Sequence, residues 1–239
     1  MLSERGRGRL VGGLTILQLV GLIVPFVLLL PIVTPPGATL ADAATSSTRI
    51  RAGVLLLAVN GAVTIGISIA AWPTLRRSSE ALGLWLVVLG ALMLGVQMVD
   101  NIHILSMLSL SQAHAAAGAS ADSLREVATA VGTTRRWAHL SGLLVIDAWI
   151  LVFYLSLIRA GALPRLLSAF GLLTVAAHFV AIPLPGFLGV RAVAEAGMPM
   201  ALSHVATAGW LVAKGLGGPW ARSTNMIEQG ERGALPSPP

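Results

Sequence analysis

The chain of 239 residues has no cysteine. Disulfides, thiolate metal sites and S-acylation are therefore excluded. Charge is scarce too: 11% of the residues are charged, where soluble domains carry about 25%. Lysine occurs once, at Lys214, and tyrosine once, at Tyr154. Compact catalytic motifs are missing as well. There is no H-E-x-x-H, no repeated E-x-x-H and no G-x-S-x-G, and Gly12-Gly13 and the other glycines build no phosphate loop.

What the chain does have is apolar length. Six stretches account for most of it: Leu10–Val33, Ile50–Trp72, Ala81–Leu110, Trp137–Ile158, Leu166–Ile182 and Met198–Leu216. A helix that crosses ~30 Å of hydrocarbon needs ~20 largely apolar residues. Backbone groups in lipid must be satisfied internally, which leaves helices or a closed barrel. Barrel strands alternate apolar and polar residues, whereas Leu84–Leu94 is apolar on every side. The expected fold is all-α: a polytopic membrane protein with six transmembrane helices in a compact bundle over residues 10–216. A basic segment, residues 1–9, precedes it. The tail, residues 217–239, is rich in Gly, Pro, Ser and charge and is expected to be disordered.

The basic start and apolar run resemble a secretory signal with Ala41-Asp42-Ala43 as cleavage site. Signal cores run ~7–15 residues, and Leu10–Val33 is longer, so it reads as a retained anchor.

The net charge of +6 comes from arginines set singly or in pairs at the ends of the apolar stretches. That is a pattern for topology and for anionic headgroups, not for nucleic acid. With the N-terminus inside, the inner segments hold Arg5, Arg7, Arg9, Arg76, Arg77, Arg159, Arg165, Lys214, Arg222 and Arg232. The outer segments hold Arg49, Arg51, Arg125, Arg135, Arg136 and Arg191. The excess places both termini on the cytoplasmic side.

Several local features carry expectations. The third stretch is too long for a perpendicular crossing, so its helix tilts or projects beyond the bilayer. Ser123-x-x-Glu126 has a capping-box pattern, and Leu124, Val127 and Val131 share a face. Together they read as a short surface helix on the outer boundary. Ala58, Ala62, Gly66 and Ala70 form a stripe of small residues suited to helix packing. Pro25 should kink the first span.

Ionisable residues within the spans are costly and turn toward a bundle interior. They are Asp100, His103, His139, Asp147, His178 and His204. At a rise of ~1.5 Å per residue, measured from the outer span ends, the histidines lie ~3–10 Å deep and both aspartates ~15 Å deep. Asp100 and His103 share a helix face, flanked by Gln97 and Asn101. Asp147 and Tyr154 are two turns apart on the fourth span. One outward-facing polar pocket would hold the six. Histidines on four helices at similar depth can also ligate a metal or haem iron. The plainer reading is structural: headgroup contacts for the histidines, and a packing lock for Asp147. Lys214 invites comparison with a retinal Schiff base. It lies near the inner end of a sixth span, not in a seventh, and there it can snorkel to headgroups.

Before the fifth span the chain reads Arg159-Ala-Gly-Ala-Leu-Pro164-Arg165-Leu-Leu, and the last span ends Trp210-Leu-Val-Ala-Lys214-Gly215. With His139 opening the fourth span, this resembles the bacterial membrane family called domain of unknown function 4386. The resemblance implies a compact six-helix membrane protein. Pro164, Arg165, Trp210 and Lys214 match its motif, and it assigns them no role. The expected function is non-enzymatic binding of a lipid, small molecule or partner protein. The alternatives are a membrane enzyme or redox protein using the Asp/His cluster, and a small transporter. No internal repeat or matched pair of broken helices supports the last.

Overall fold

The computed structural model describes residues 2–33, 43–117, 122–185 and 193–216. The tail beyond residue 216 and the Ala41-Asp42 part of the signal-like site lie outside them. The described chain forms six long helices: α1 Glu4–Val33, α2 Ser47–Ser78, α3 Glu80–Ala117, α4 Asp122–Arg159, α5 Arg165–Ala181 and α6 Val193–Lys214. Four stretches are long and apolar enough to cross a membrane: Glu4–Leu30, Ser47–Ser78, Glu80–Ala116 and Ser123–Arg159. α5 is apolar but has 17 residues. The fold is an all-α membrane bundle.

Each helix packs on the next in the chain, and α1 returns against α6 to close a ring. Neighbours are antiparallel, so α1 begins where α6 ends. There the Leu216 N–H donates to the Glu4 carbonyl at 3.4 Å. Arg77 pairs with Glu4 at 2.9 Å across the same end. Glycine makes the closure possible. A Cβ on Gly8 would overlap the Gly215 backbone, and one on Gly12 would lie 2.7 Å from the Ala208 carbonyl oxygen. Gly215 itself has φ +83°, a conformation that favours glycine.

The main core draws on every helix, with Val11, Ile67, Leu75, Leu86, Phe153, Leu157, Val175 and Leu211. Trp149 stacks on Phe153 with ring centroids 5.2 Å apart. Its indole N–H donates to Ser68 Oγ at 3.0 Å, and that oxygen lies 3.2 Å from the Leu86 carbonyl. One hydroxyl thus joins α2, α3 and α4. A second cluster, Leu29, Ile50, Leu57, Ile104 and Leu108, fills the opposite end of the α1–α2–α3 wall. The perimeter is apolar as well: Leu55, Ile69, Leu166, Leu173 and Leu202 are exposed. A soluble domain would not present such a surface.

Several sequence expectations are corrected here. The Ser123–Val131 region is no separate surface helix; it is the first part of α4, antiparallel to the end of α3. Gly132 faces Met107, with room for a Cβ 3.7 Å from its methyl carbon. The hydroxyls of Thr129, Thr133 and Thr134 bond to carbonyls one turn back in their own helix. The helix therefore runs through a sequence that looks like a break. The small-residue stripe is likewise not the main packing face, because Ala62 is exposed. The close contacts fall on Gly53 and Gly61, against Leu29 and Leu94. α1 continues through Pro25. The Val27 carbonyl, which Pro31 cannot reach with an N–H, accepts from Arg49 Nη2 at 2.6 Å.

The register of α3 against α4 settles how the long third helix is used. Asp100 on α3 lies level with Arg135 and His139 on α4. From Arg135 back to Asp122 the helix runs about 20 Å further at ~1.5 Å per residue. From Arg135 forward to Arg159 it runs about 36 Å, close to one bilayer with its interface. The α3–α4 hairpin therefore projects beyond an apolar band bounded by arginines.

The ring closure generates a paired test. Gly12→Ala forces α1 and α6 apart and is expected to destabilise by about 1–3 kcal/mol. Gly13→Ala, with nothing within 4 Å of the new carbon, should leave melting in detergent unchanged. Equal melting of the two variants would refute the close α1–α6 approach.

Candidate functional site

The polar residues of the spans divide between two seams. The first lies between α3 and α4. Asp100 is buried, and its carboxylate meets Arg135 Nε at 3.2 Å and His139 Nδ1 at 3.5 Å. His139 remains half exposed. On the α2 side, Asn101 donates to the Val54 carbonyl at 3.3 Å and accepts from Gln97 at 3.0 Å. His103 turns back on its own helix, with Nδ1 2.8 Å from the Val99 carbonyl oxygen. The cluster sits level with the arginines at the hairpin end, not at the depth of Asp147.

The second seam lies among α4, α5 and α6. Asp147 is fully buried, and its Oδ2 is 2.7 Å from His178 Nδ1. Gly197 of α6 faces the other side of that imidazole, where a Cβ would lie 3.6 Å from Nε2. One turn along α5 from His178 is Thr174, whose Oγ1 is 3.3 Å from Ser203 Oγ. Tyr154, fully buried, donates to Ser203 Oγ at 3.0 Å. Its oxygen is also 3.2 Å from Thr207 Oγ1 and 3.4 Å from His204 Nδ1. Glycine again permits the contact: a Cβ on Gly171 would overlap the edge of the Tyr154 ring.

The six expected pocket residues are thus not in one constellation. Asp100 and His139 pair at the hairpin-end rim, and His103 stands beside them on its own backbone. Asp147, His178 and His204 share the inner seam. The spacing of the sequence missed Arg135 as the partner of Asp100. It also missed the hydroxyl set of Thr174, Ser203 and Thr207. The signal for the latter was present as spacings of three and four: Thr174 with His178, and His204 with Thr207.

The inner seam has two unsatisfied atoms. Asp147 Oδ1 and His204 Nε2 are buried and have no hydrogen-bond partner. Among the described residues no group of three His, Asp or Glu side chains is arranged to hold a metal ion.

The motif residues occupy the turn between α4 and α5. Pro164 caps α5, and its carbonyl accepts from the Ser168 N–H at 3.0 Å and hydroxyl at 3.1 Å. Arg165 is the first residue of α5. Gly161 takes φ +61°, and the Ala162 carbonyl, exposed by that turn, accepts from the Trp210 indole at 2.9 Å. Lys214 ends α6. Trp210 therefore ties α6 to the α4–α5 turn, while Arg165 and Lys214 place positive charge at the end where the ring closes.

These features define a helical membrane bundle with a buried polar seam. A family model described as domain of unknown function (DUF4386) matches residues 10–215, and the chain belongs to that family. No curated protein and no solved structure matches it.

The Asp100–Arg135 pair is testable by a double-mutant cycle on melting in detergent. Asp100→Ala and Arg135→Ala should each destabilise. Together they should cost less than the sum, with a coupling of about 0.5–3 kcal/mol. Additive effects would show that the pair contributes nothing.

Proposed function

We propose that this chain is a six-span protein of a bacterial inner membrane, with both termini cytoplasmic, working as a non-enzymatic binding bundle through the α4–α5–α6 seam. Four helices have the length and apolarity to cross. The ring extends the same crossing to α5 and α6, because they complete its wall. The end where the ring closes carries Arg5, Arg7, Arg9, Arg76, Arg77, Arg159, Arg165 and Lys214 against Glu4 and Glu80. Positive charge of that density favours the cytoplasmic leaflet and its anionic headgroups.

The observation that carries binding is the pair of orphaned polar atoms, Asp147 Oδ1 and His204 Nε2. Leaving a buried polar group unpaired costs about 1–3 kcal/mol. A bundle selected for stability alone would do as well with apolar side chains, because well-packed hydrophobic residues often replace a buried ion pair at no cost. The presence of Asp147, His178 and His204 at such a cost supports a seam that takes something up.

Two measurements test this reading. A periplasm-active phosphatase fused to the C-terminus should be inactive, and one fused after Ala119 should be active; the reverse pattern overturns the orientation. Replacing both Asp147 and His178 with leucine should leave melting unchanged or raised. A loss of more than about 3 kcal/mol would make the pair a packing lock and remove the support for binding.

A further inference from the structure

We propose that the α4–α5–α6 seam binds and relays protons, with Asp147–His178 as one station and Tyr154–His204 as the next. This rests on the seam being a binding site, and it names the ligand. Asp147 and Tyr154 are fully buried, and His178 and His204 are each 5% exposed. A proton is the ligand that side chains packed this closely take up without opening a cavity.

Each station has an internal bond and an atom without a hydrogen-bond partner, Asp147 Oδ1 in the first and His204 Nε2 in the second. In the first, His178 Nδ1 and Asp147 Oδ2 are 2.7 Å apart. That leaves His178 Nε2 on one side, facing a glycine that offers no side chain. It leaves Asp147 Oδ1, without a partner, on the other. A proton accepted at Nε2 makes an imidazolium. The Nδ1 proton then passes to Oδ2, which restores a neutral imidazole and makes a neutral carboxyl. Rotation about Cβ–Cγ presents that proton from the opposite side, and its release regenerates the carboxylate. One proton enters and one leaves; the imidazole is then the Nε2–H tautomer, and the next proton is taken only after tautomer exchange restores the proton to Nδ1.

The second station repeats the arrangement. Tyr154 is linked to Ser203, Thr207 and His204 Nδ1 at 3.0, 3.2 and 3.4 Å. His204 Nε2 is buried and free beyond it. Thr174 and Ser203 stand between the stations, 3.3 Å apart. Thr174 is one turn from His178, a separation of about 5–6 Å between side-chain roots. Thr174 Oγ1 donates to the Gly171 carbonyl at 3.0 Å and Ser203 Oγ to the Met200 carbonyl at 2.8 Å, so the relay requires each hydroxyl to rotate away from its carbonyl as it passes a proton.

The placement along the bundle gives the relay a direction. His178 lies one turn from the end of α5 at Ala181. α5 and α6 are much shorter than the α3–α4 hairpin. The first station therefore lies just below the end of the short hairpin, and the second lies toward the end where the ring closes. The charged groups of the neighbouring elements are Asp100 on α3 with Arg135 and His139 on α4. They stand at least two turns away along α4 and are engaged with one another.

The test uses the purified full chain. In weakly buffered detergent with an indicator dye, a pH jump should show proton binding that Asp147→Asn and His178→Gln each reduce by about one per chain, since a coupled pair titrates as a unit. In proteoliposomes with a trapped dye and an imposed potential, the wild type should carry protons. Tyr154→Phe, which keeps the first station but removes the central hydroxyl, should lose most of that flux, and Thr133→Ala on the projecting hairpin should not. Wild-type uptake in folded Asp147→Asn and His178→Gln overturns the proposal, as does wild-type flux in Tyr154→Phe. Either result leaves the binding reading standing if the double leucine variant melts as the wild type does. A destabilised double leucine variant, found together with proton uptake that Asp147→Asn and His178→Gln each reduce, would remove the stability argument and leave the relay.

Discussion

A hydroxyl or amide inside an apolar bundle has no water to turn to, and the way this chain meets that constraint organises the rest of the structure. Many of the serines and threonines among the described residues satisfy themselves locally. Thr15, Thr64, Ser106, Thr129, Thr133, Ser141, Ser156 and Ser168 donate to the carbonyl one turn back in their own or the adjoining turn. Such residues need no partner on a neighbouring helix, although Thr64 also accepts from Gln18 of α1 at 2.6 Å. The polar groups that cannot fold back, an indole, a phenol, carboxylates and imidazoles, fix which helices meet. Trp149 finds Ser68, Trp210 finds the Ala162 carbonyl, Asp100 finds Arg135, and Asp147 finds His178.

These contacts explain why α4 organises the ring. It contributes Trp149, Phe153, Tyr154 and Leu157 to the core and partners on α2, α3, α5 and α6 to the polar network. The opposite side closes differently. Between α1 and α6 there is no such polar side-chain network to specify register, and the glycines at 8, 12 and 215 bring backbones together instead. In lipid, where apolar side chains gain little by leaving the solvent, close backbone approach is one of the few forces left to hold helices together. The bundle thus uses polar locks on one side and steric fit on the other.

The sequence made the class and the six helical segments legible because apolar length is a strong signal that neighbours cannot disguise. Register was not legible. Asp100 looked as deep as Asp147 because Leu110 was taken as the outer boundary of its span, whereas Asp100 stands level with Arg135 and His139, at least two turns before Asp147 on α4. The apparent break at Gly132-Thr133-Thr134 vanished because hydroxyls there bond within the helix and Gly132 faces Met107. The single pocket failed for the same reason. Which of two seams an aspartate enters depends on the rotation of α3 against α4, and helical spacing within one span says nothing about that. The alanine stripe misled because alanine fits lipid and helix interfaces equally well, while Gly53 and Gly61 face Leu29 and Leu94. The motif around Pro164 and Trp210 could be read as letters, but its physical sense needed the Ala162 carbonyl, which only the turn geometry exposes.

The two polar seams differ in a way that bears on function. At the α3–α4 rim the Asp100 carboxylate faces a guanidinium as well as an imidazole, and His139 is half exposed. That carboxylate is paired with arginine, which stays charged in proteins, and the pair ties α3 to α4. In the inner seam the partner of Asp147 is a histidine, whose charge is not fixed. The same carboxylate chemistry therefore meets a permanent cation in one seam and an imidazole in the other. A stable bundle could have used arginine twice. In the inner seam the carboxylate is fully buried and one of its oxygens has no hydrogen-bond partner, which costs stability that a second arginine would recover.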